Sequence, residues 1–300
     1  MALVSKILPR HCFCEVLSFP QLALCRAWRS LILSTCFRQQ ARAEVRSSEA
    51  GPQRNRVIVH LRNIDVGDSL KVVVKLGGFV FPSDPDPTAI RSYADALRRV
   101  SEEGHRLVVI AGGGGDARKY IKAARRLGAS EYICDLLGIE VSRLNARLLS
   151  STLGELAYPE LPTSLSLLRD AFEVGKIVVA GGMQPAQSTN AVAALSAEAV
   201  GADLLVNATN VDGVYTSDPK SDPSARKLDA IETRDLLRLV LNGRMDAGTY
   251  ELFDPVAIRI VERSGVRTRI LDGRTPGNIE KAARGESIGT LVLASGRFDK

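Results

Sequence analysis

The chain has 300 residues, 45% of them hydrophobic but only 5% aromatic, and a formal net charge of +6, which is material for one large domain or two. The charge is lopsided: residues 1–70 carry a balance of +5, so the rest of the chain is close to neutral and offers no basic surface for nucleic acid. Cys12, Cys14, Cys25 and Cys36 all lie near the N-terminus and leave Cys134 alone in the body, which excludes a disulfide framework.

Residues 1–68 mix Arg, Ser, Cys and bulky apolar residues without a sustained period, and Arg26 and Arg29 interrupt the one stretch long enough to suggest a membrane span. Three readings fit the segment: a disordered extension, a start codon placed too early, or an Arg- and Ser-rich, acid-poor transit peptide. None gives it a part in catalysis. The chain is therefore expected to divide into an N-terminal extension, 1–68, and one folded domain, 69–300.

From Leu70 the pattern becomes regular. LKVVVKL (70–76) predicts a buried strand, followed by Gly77-Gly78, a Pro/Asp loop and a helix from about Thr88 to Glu103 that Gly104 ends. LVVIA (107–111) is a second strand, and the four glycines 112–115 and the polar run after them form a turn and a helix start. A helix over 142–156 follows, then the linker YPELPTS (158–164), whose Thr163 or Ser164 can cap the helix SLSLLRDAFEVG. KIVVA (176–180) ends in Gly181-Gly182 and leads through a polar loop to an Ala-rich helix over 190–200. ADLLVNATN (202–210) is a further strand, with the turn VDGVYTSDPKSDP after it. Helices near 233–241 and over 254–265, the latter stopped by Gly265, and strands at 266–271 and 289–294 complete the set. Such alternation predicts an α/β fold with a mainly parallel sheet covered on both faces.

Three strands thus end in glycines, and in sheets of this kind ligands bind beyond the C-terminal strand ends. Glycine lets a backbone approach phosphate oxygens, and a helix N-terminus favours negative charge, so three such turns point to one extended polyanion. The Walker-type G-x-x-x-x-G-K-[ST] and a helix-opening G-x-G-x-x-G are both missing from the sequence. Lys75, two residues before the first pair, is either an edge-strand lysine or a buried charge in need of a partner, and a phosphate would be that partner. Arg118, one turn into its helix, can add a bidentate donor. Asp203, at the start of a strand, either caps that strand or holds a lysine in place.

KLGG, AGGGGDARKYI, CDLLGIEVSRLNA, GGMQPAQSTNAVAAL, ATNVDGVYTSDP and AGTYELFDPVAIRIV occur in this order from Leu70 onward. In these motifs the chain resembles the amino acid kinase superfamily, specifically its archaeal-type uridylate (UMP) kinases. The resemblance implies a three-layer α/β/α sandwich, transfer of the ATP γ-phosphoryl group to UMP with Mg²⁺, a cytoplasmic enzyme, and a homohexamer built as a trimer of dimers, with neither nucleic acid nor membrane as partner. It assigns ATP to Gly78, Phe79, Gly114, Arg118, Thr209, Tyr215 and Asp218. UMP falls to Gly113, Asp135 and the loop Met183, Gln184, Pro185, Ala186, Gln187, Ser188 and Thr189. Lys75 takes the place of the lysine at the transferring phosphoryl group and Asp203 that of a charge-organising aspartate; no residue is assigned as a metal ligand. Phe79, Met183, Gln184, Gln187 and Asn190 depart from residues common in such relatives, and Asn190 cannot supply a carboxylate's charge. Acetylglutamate kinase and a non-catalytic nucleotide- or anion-binding homologue are the alternatives.

Overall fold

The computed structural model describes residues 69–219, 222–241 and 253–295. The expected extension over 1–68 lies outside the described residues, as does the AGTYEL portion of the last motif. Among the described residues seven strands make one sheet: β1 (Lys71–Leu76), β2 (Arg106–Ala111), β3 (Val178–Ala180), β4 (Leu204–Thr209), β5 (Ala230–Glu232), β6 (Arg267–Asp272) and β7 (Thr290–Leu293). Their order is β3-β2-β1-β4-β6-β7-β5, parallel except for the antiparallel pair β6 and β7. β1 therefore sits inside the parallel block, hydrogen-bonded to β2 on one side and β4 on the other.

Both faces of the sheet are apolar, because both are covered. Val73, Val108, Ile110, Leu205 and Ile270 look to one side, where they meet α4 (Leu165–Glu173), α5 (Thr189–Val200), α6 (Thr233–Leu241) and α7 (Pro255–Ser264). Val72, Val74, Leu76, Val109 and Val206 look to the other and meet α1 (Pro87–Glu102), α3 (Glu131–Leu153) and α8 (Gly277–Ala283). The remaining helix, α2 (Gly114–Arg126), opens at the four glycines. The result is the expected three-layer α/β/α sandwich.

The helix ends follow from local chemistry. Asp86 accepts from Thr88 N–H ahead of Pro87, Ser164 from Leu167 N–H, and Asp254 from Val256 and Ala257 N–H. Gly201 and Gly265 end α5 and α7 in the left-handed conformation. One expected boundary moves, and two short elements are added. The helix expected at 142–156 begins at Glu131, because Gly138 does not break it: Ile121 of α2 packs against the space where a side chain would be. β5 and α8, with three and seven residues, are too short to show a period and were not foreseen.

Candidate active site

The C-terminal ends of β1, β2 and β3 border a cavity of about 660 Å³. Side chains alternate along a strand, so Lys75 shares a face with Val73, and its register places it between Ile110 of β2 and Asn207 of β4. It is a buried lysine at the centre of the parallel block, lining the cavity. With it the cavity gathers Gly78, Gly113, Gly114, Arg118, Asp135, Gln184, Gln187, Ser188 and Thr189.

Phe79, Thr209, Tyr215 and Asp218 do not line this cavity. Thr209 ends β4, and Tyr215 and Asp218 follow in the next turn, so this group lies on the β4 side of Lys75. The Tyr215 hydroxyl donates to Asp212 Oδ1 at 2.9 Å; burial first, and then this bond, push the phenol up from its ordinary value. The ring of Phe79 lies against Gly77 and Gly273, closing the gap between the turns after β1 and β6.

On the other side, the loop from Met183 to Thr189 divides. Met183 is buried with the core, Pro185 is half-buried, and Ala186 is exposed. Ala186 N–H donates to Asp135 Oδ2 at 2.7 Å. Asp135 is the fifth residue of α3, behind the N-cap Ser130, so its carboxylate caps no helix and faces the loop.

Asp203 is a correction. Its Oδ2 accepts from Lys71 N–H at 2.8 Å, and its own N–H donates to the Lys71 carbonyl at 2.9 Å. Lys71 begins β1, four residues and about 13 Å of extended chain before Lys75. Asp203 thus ties two strand starts at the end of the sheet away from the cavity, and cannot organise charge around Lys75.

The glycines also prove to have a second use. A Cβ on Gly78 would meet Gly114 Cα at 2.4 Å, and one on Gly181 would meet Arg143 N at 2.7 Å. The turns after β1 and β2 touch backbone to backbone, and the turn after β3 presses on α3. Part of the pattern that reads as a phosphate signal is therefore close packing. Several residues that hold these turns were not singled out from sequence. Ser142 Oγ accepts from Gly182 N–H at 2.7 Å, Arg143 Nε donates to the Gly182 carbonyl at 3.0 Å, and Asn145 Nδ2 donates to the Gly112 carbonyl at 2.8 Å. Their only signal was membership of the SRLNA motif, since a polar helix residue otherwise reads as solvated.

Asn190, the second residue of α5, also lines the cavity; it is 9% exposed, and its Oδ1 has no hydrogen-bond partner among the described residues. A buried acceptor left without a donor is costly and marks a place where a ligand or water belongs. No cluster of three metal-ligating side chains occurs among the described residues.

Residues 71–272 match the model of the amino acid kinase family. A uridylate kinase of Hyperthermus butylicus is 50% identical over 222 residues, 74% of this chain and 97% of its own length. That of Methanothermobacter thermautotrophicus is 46% identical over 227 residues, 75% of this chain and 99% of its own. The crystal structure of uridylate kinase from Archaeoglobus fulgidus superposes with a TM-score of 0.68 at 42% identity, covering 75% of this chain and all of that one. Through a match that runs from β1 to β6 and takes in the cavity and the turns around Lys75, the chain belongs to the amino acid kinase family, among its uridylate kinases.

Proposed function

We propose that the chain transfers the γ-phosphoryl group of ATP to UMP, giving UDP and ADP. The observation that carries this reading is the sheet order. β1 lies between β2 and β4, so Lys75 stands between the acceptor residues on the β2 and β3 side and the nucleotide residues that follow β4. An oxygen of the UMP phosphate attacks the γ-phosphorus; the new P–O bond forms as the bond to the bridging oxygen breaks, and ADP leaves with the electron pair. Such a reaction asks the protein mainly for positioning and for stabilisation of charge. Lys75 and the N–H groups of the glycine turns supply the charge, Asp135 receives a ribose hydroxyl, and Arg118 adds a donor for phosphate. Mg²⁺, when bound, neutralises charge on the ATP phosphates; the chain offers no built cage for it among the described residues, so it would be held largely by phosphate oxygens and water.

We place the reaction in the cytoplasm, as a step of pyrimidine nucleotide synthesis. No helix among the described residues is long and apolar enough to cross a membrane. A hexamer made of three dimers is the proposed assembly, and Ile133, Leu144 and Leu148, exposed at helical spacing along α3, give an apolar stripe suited to the dimer contact. The activity is tested by ADP release from purified protein with UMP, CMP, dUMP and isopentenyl phosphate as acceptors. Turnover with UMP well above the others is expected; ATP and UMP binding without ADP release would make the protein a nucleotide-binding homologue.

A further inference from the structure

Ala186 is the one non-glycine residue with positive φ among the described residues, at +61°. For a residue with a Cβ that conformation is disfavoured by roughly 1 kcal/mol or more, so something must hold it. The hydrogen bond from its N–H to Asp135 Oδ2 is in place to do so. Two residues later the same loop is pinned again: Ser188 Oγ donates to Asp254 Oδ2 at 2.5 Å, while Ser188 also caps α5 and Asp254 caps α7. The second pin is built into two helix starts. The first depends on a single carboxylate on α3.

We propose that Asp135 is the latch of the acceptor loop as well as its sugar contact, and that the strained Ala186 makes the loop conformation depend on that carboxylate. Oδ2 is occupied by Ala186 N–H, whereas no donor among the described residues bonds to Oδ1, which leaves it for a hydroxyl of the ligand. One side chain thereby touches the ribose and the loop that carries Gln184 and Gln187 into the cavity. When the latch is absent, Ala186 relaxes toward negative φ and turns those side chains away. A glycine at 186 populates either sign of φ with little preference, so the loop would keep its shape without Asp135. The sugar role rests on the kinase reading above; the latch itself is a property of the ligand-free protein and is tested there.

The experiment is amide hydrogen exchange of Gln184, Gln187 and Ser188 in the ligand-free full chain, compared among the parent, Asp135→Ala, Ala186→Gly and the double variant. Asp135→Asn provides a milder lesion, since its amide oxygen can still accept from Ala186 N–H. Asp135→Ala is expected to speed exchange of the Gln187 amide, which bonds within the loop to the Gln184 carbonyl and not to Asp135, about tenfold or more in the parent background, but only a few-fold in the Ala186→Gly background, with Asp135→Asn between parent and Asp135→Ala. Unchanged exchange in Asp135→Ala, or equal acceleration in the two backgrounds, overturns the latch. Failure of ADP release in the parent protein would instead overturn the kinase reading, and the two failures are read in separate experiments.

Discussion

Lys75 and Asn190 line one cavity and lie in or against the same face of the sheet, and they answer different questions. Lys75 acts on charge that develops during transfer, so it contributes more to the transition state than to binding. Lys75→Ala is expected to lower kcat about 100-fold or more while UMP binding, followed by titration, changes little; an unchanged kcat would make the lysine a structural residue. Asn190 gives a site that is neutral at this position. A carboxylate there would face phosphates in the cavity that Lys75 also lines, so Asn190→Asp is expected to raise the KM for UMP by charge repulsion. A KM identical to that of the parent would show that residue 190 does not face the reacting groups.

At the scale of elements, the site is fixed by the turns that leave the strands. The turn after β6 illustrates this. Arg274 Nε and its backbone N–H both donate to Asp272 Oδ1 at 2.9 Å, Asn278 donates to the Asp272 carbonyl, and the Tyr93 hydroxyl donates to the Gly273 carbonyl at 2.7 Å. Burial, and then Asp272, push the Tyr93 phenol up to about 12. The Arg274 bonds hold the Asp272 carboxyl below its usual range. A carboxylate with a depressed folded pKa adds stability that is fully present above its unfolded value, near 3.9, and is lost as pH falls through the depressed value. Melting temperature should therefore decline from about pH 5 downward. Arg274→Ala should flatten that decline only slightly, since the arginine is largely exposed and its charge is screened by solvent. A thermal-denaturation series against pH in both proteins checks it, and parallel curves would remove the Arg274 contribution.

On the scale of the whole molecule, the family match begins at residue 71, and among the described residues the sheet and both apolar layers are built from Leu70 onward. Deletion of residues 1–68 is expected to leave melting temperature and ADP release close to those of the full chain. Loss of most of either, measured side by side, would make the segment part of the fold.

What the sequence determined by itself was whatever local chemistry enforces. Buried strands of Val, Ile and Leu, a cap at Thr163 or Ser164, the stop at Gly265, and hence a parallel sheet with ligand turns at one end, were all legible, because period and capping act over a few residues. Lys75 was legible too, as a charge inside an apolar run. The tertiary structure alone decided what depends on distance between elements. Only the order of the strands places Lys75 between two groups of residues, and only the pairing of Lys71 with Asp203 shows that this aspartate lies at the far end of the sheet. Gly181 and Gly78 read as phosphate turns until the backbones packed against them are seen. The bond between Asp135 and Ala186, 51 residues apart, has no local signature, because it exists only where a helix and a loop are brought together by the sheet between them.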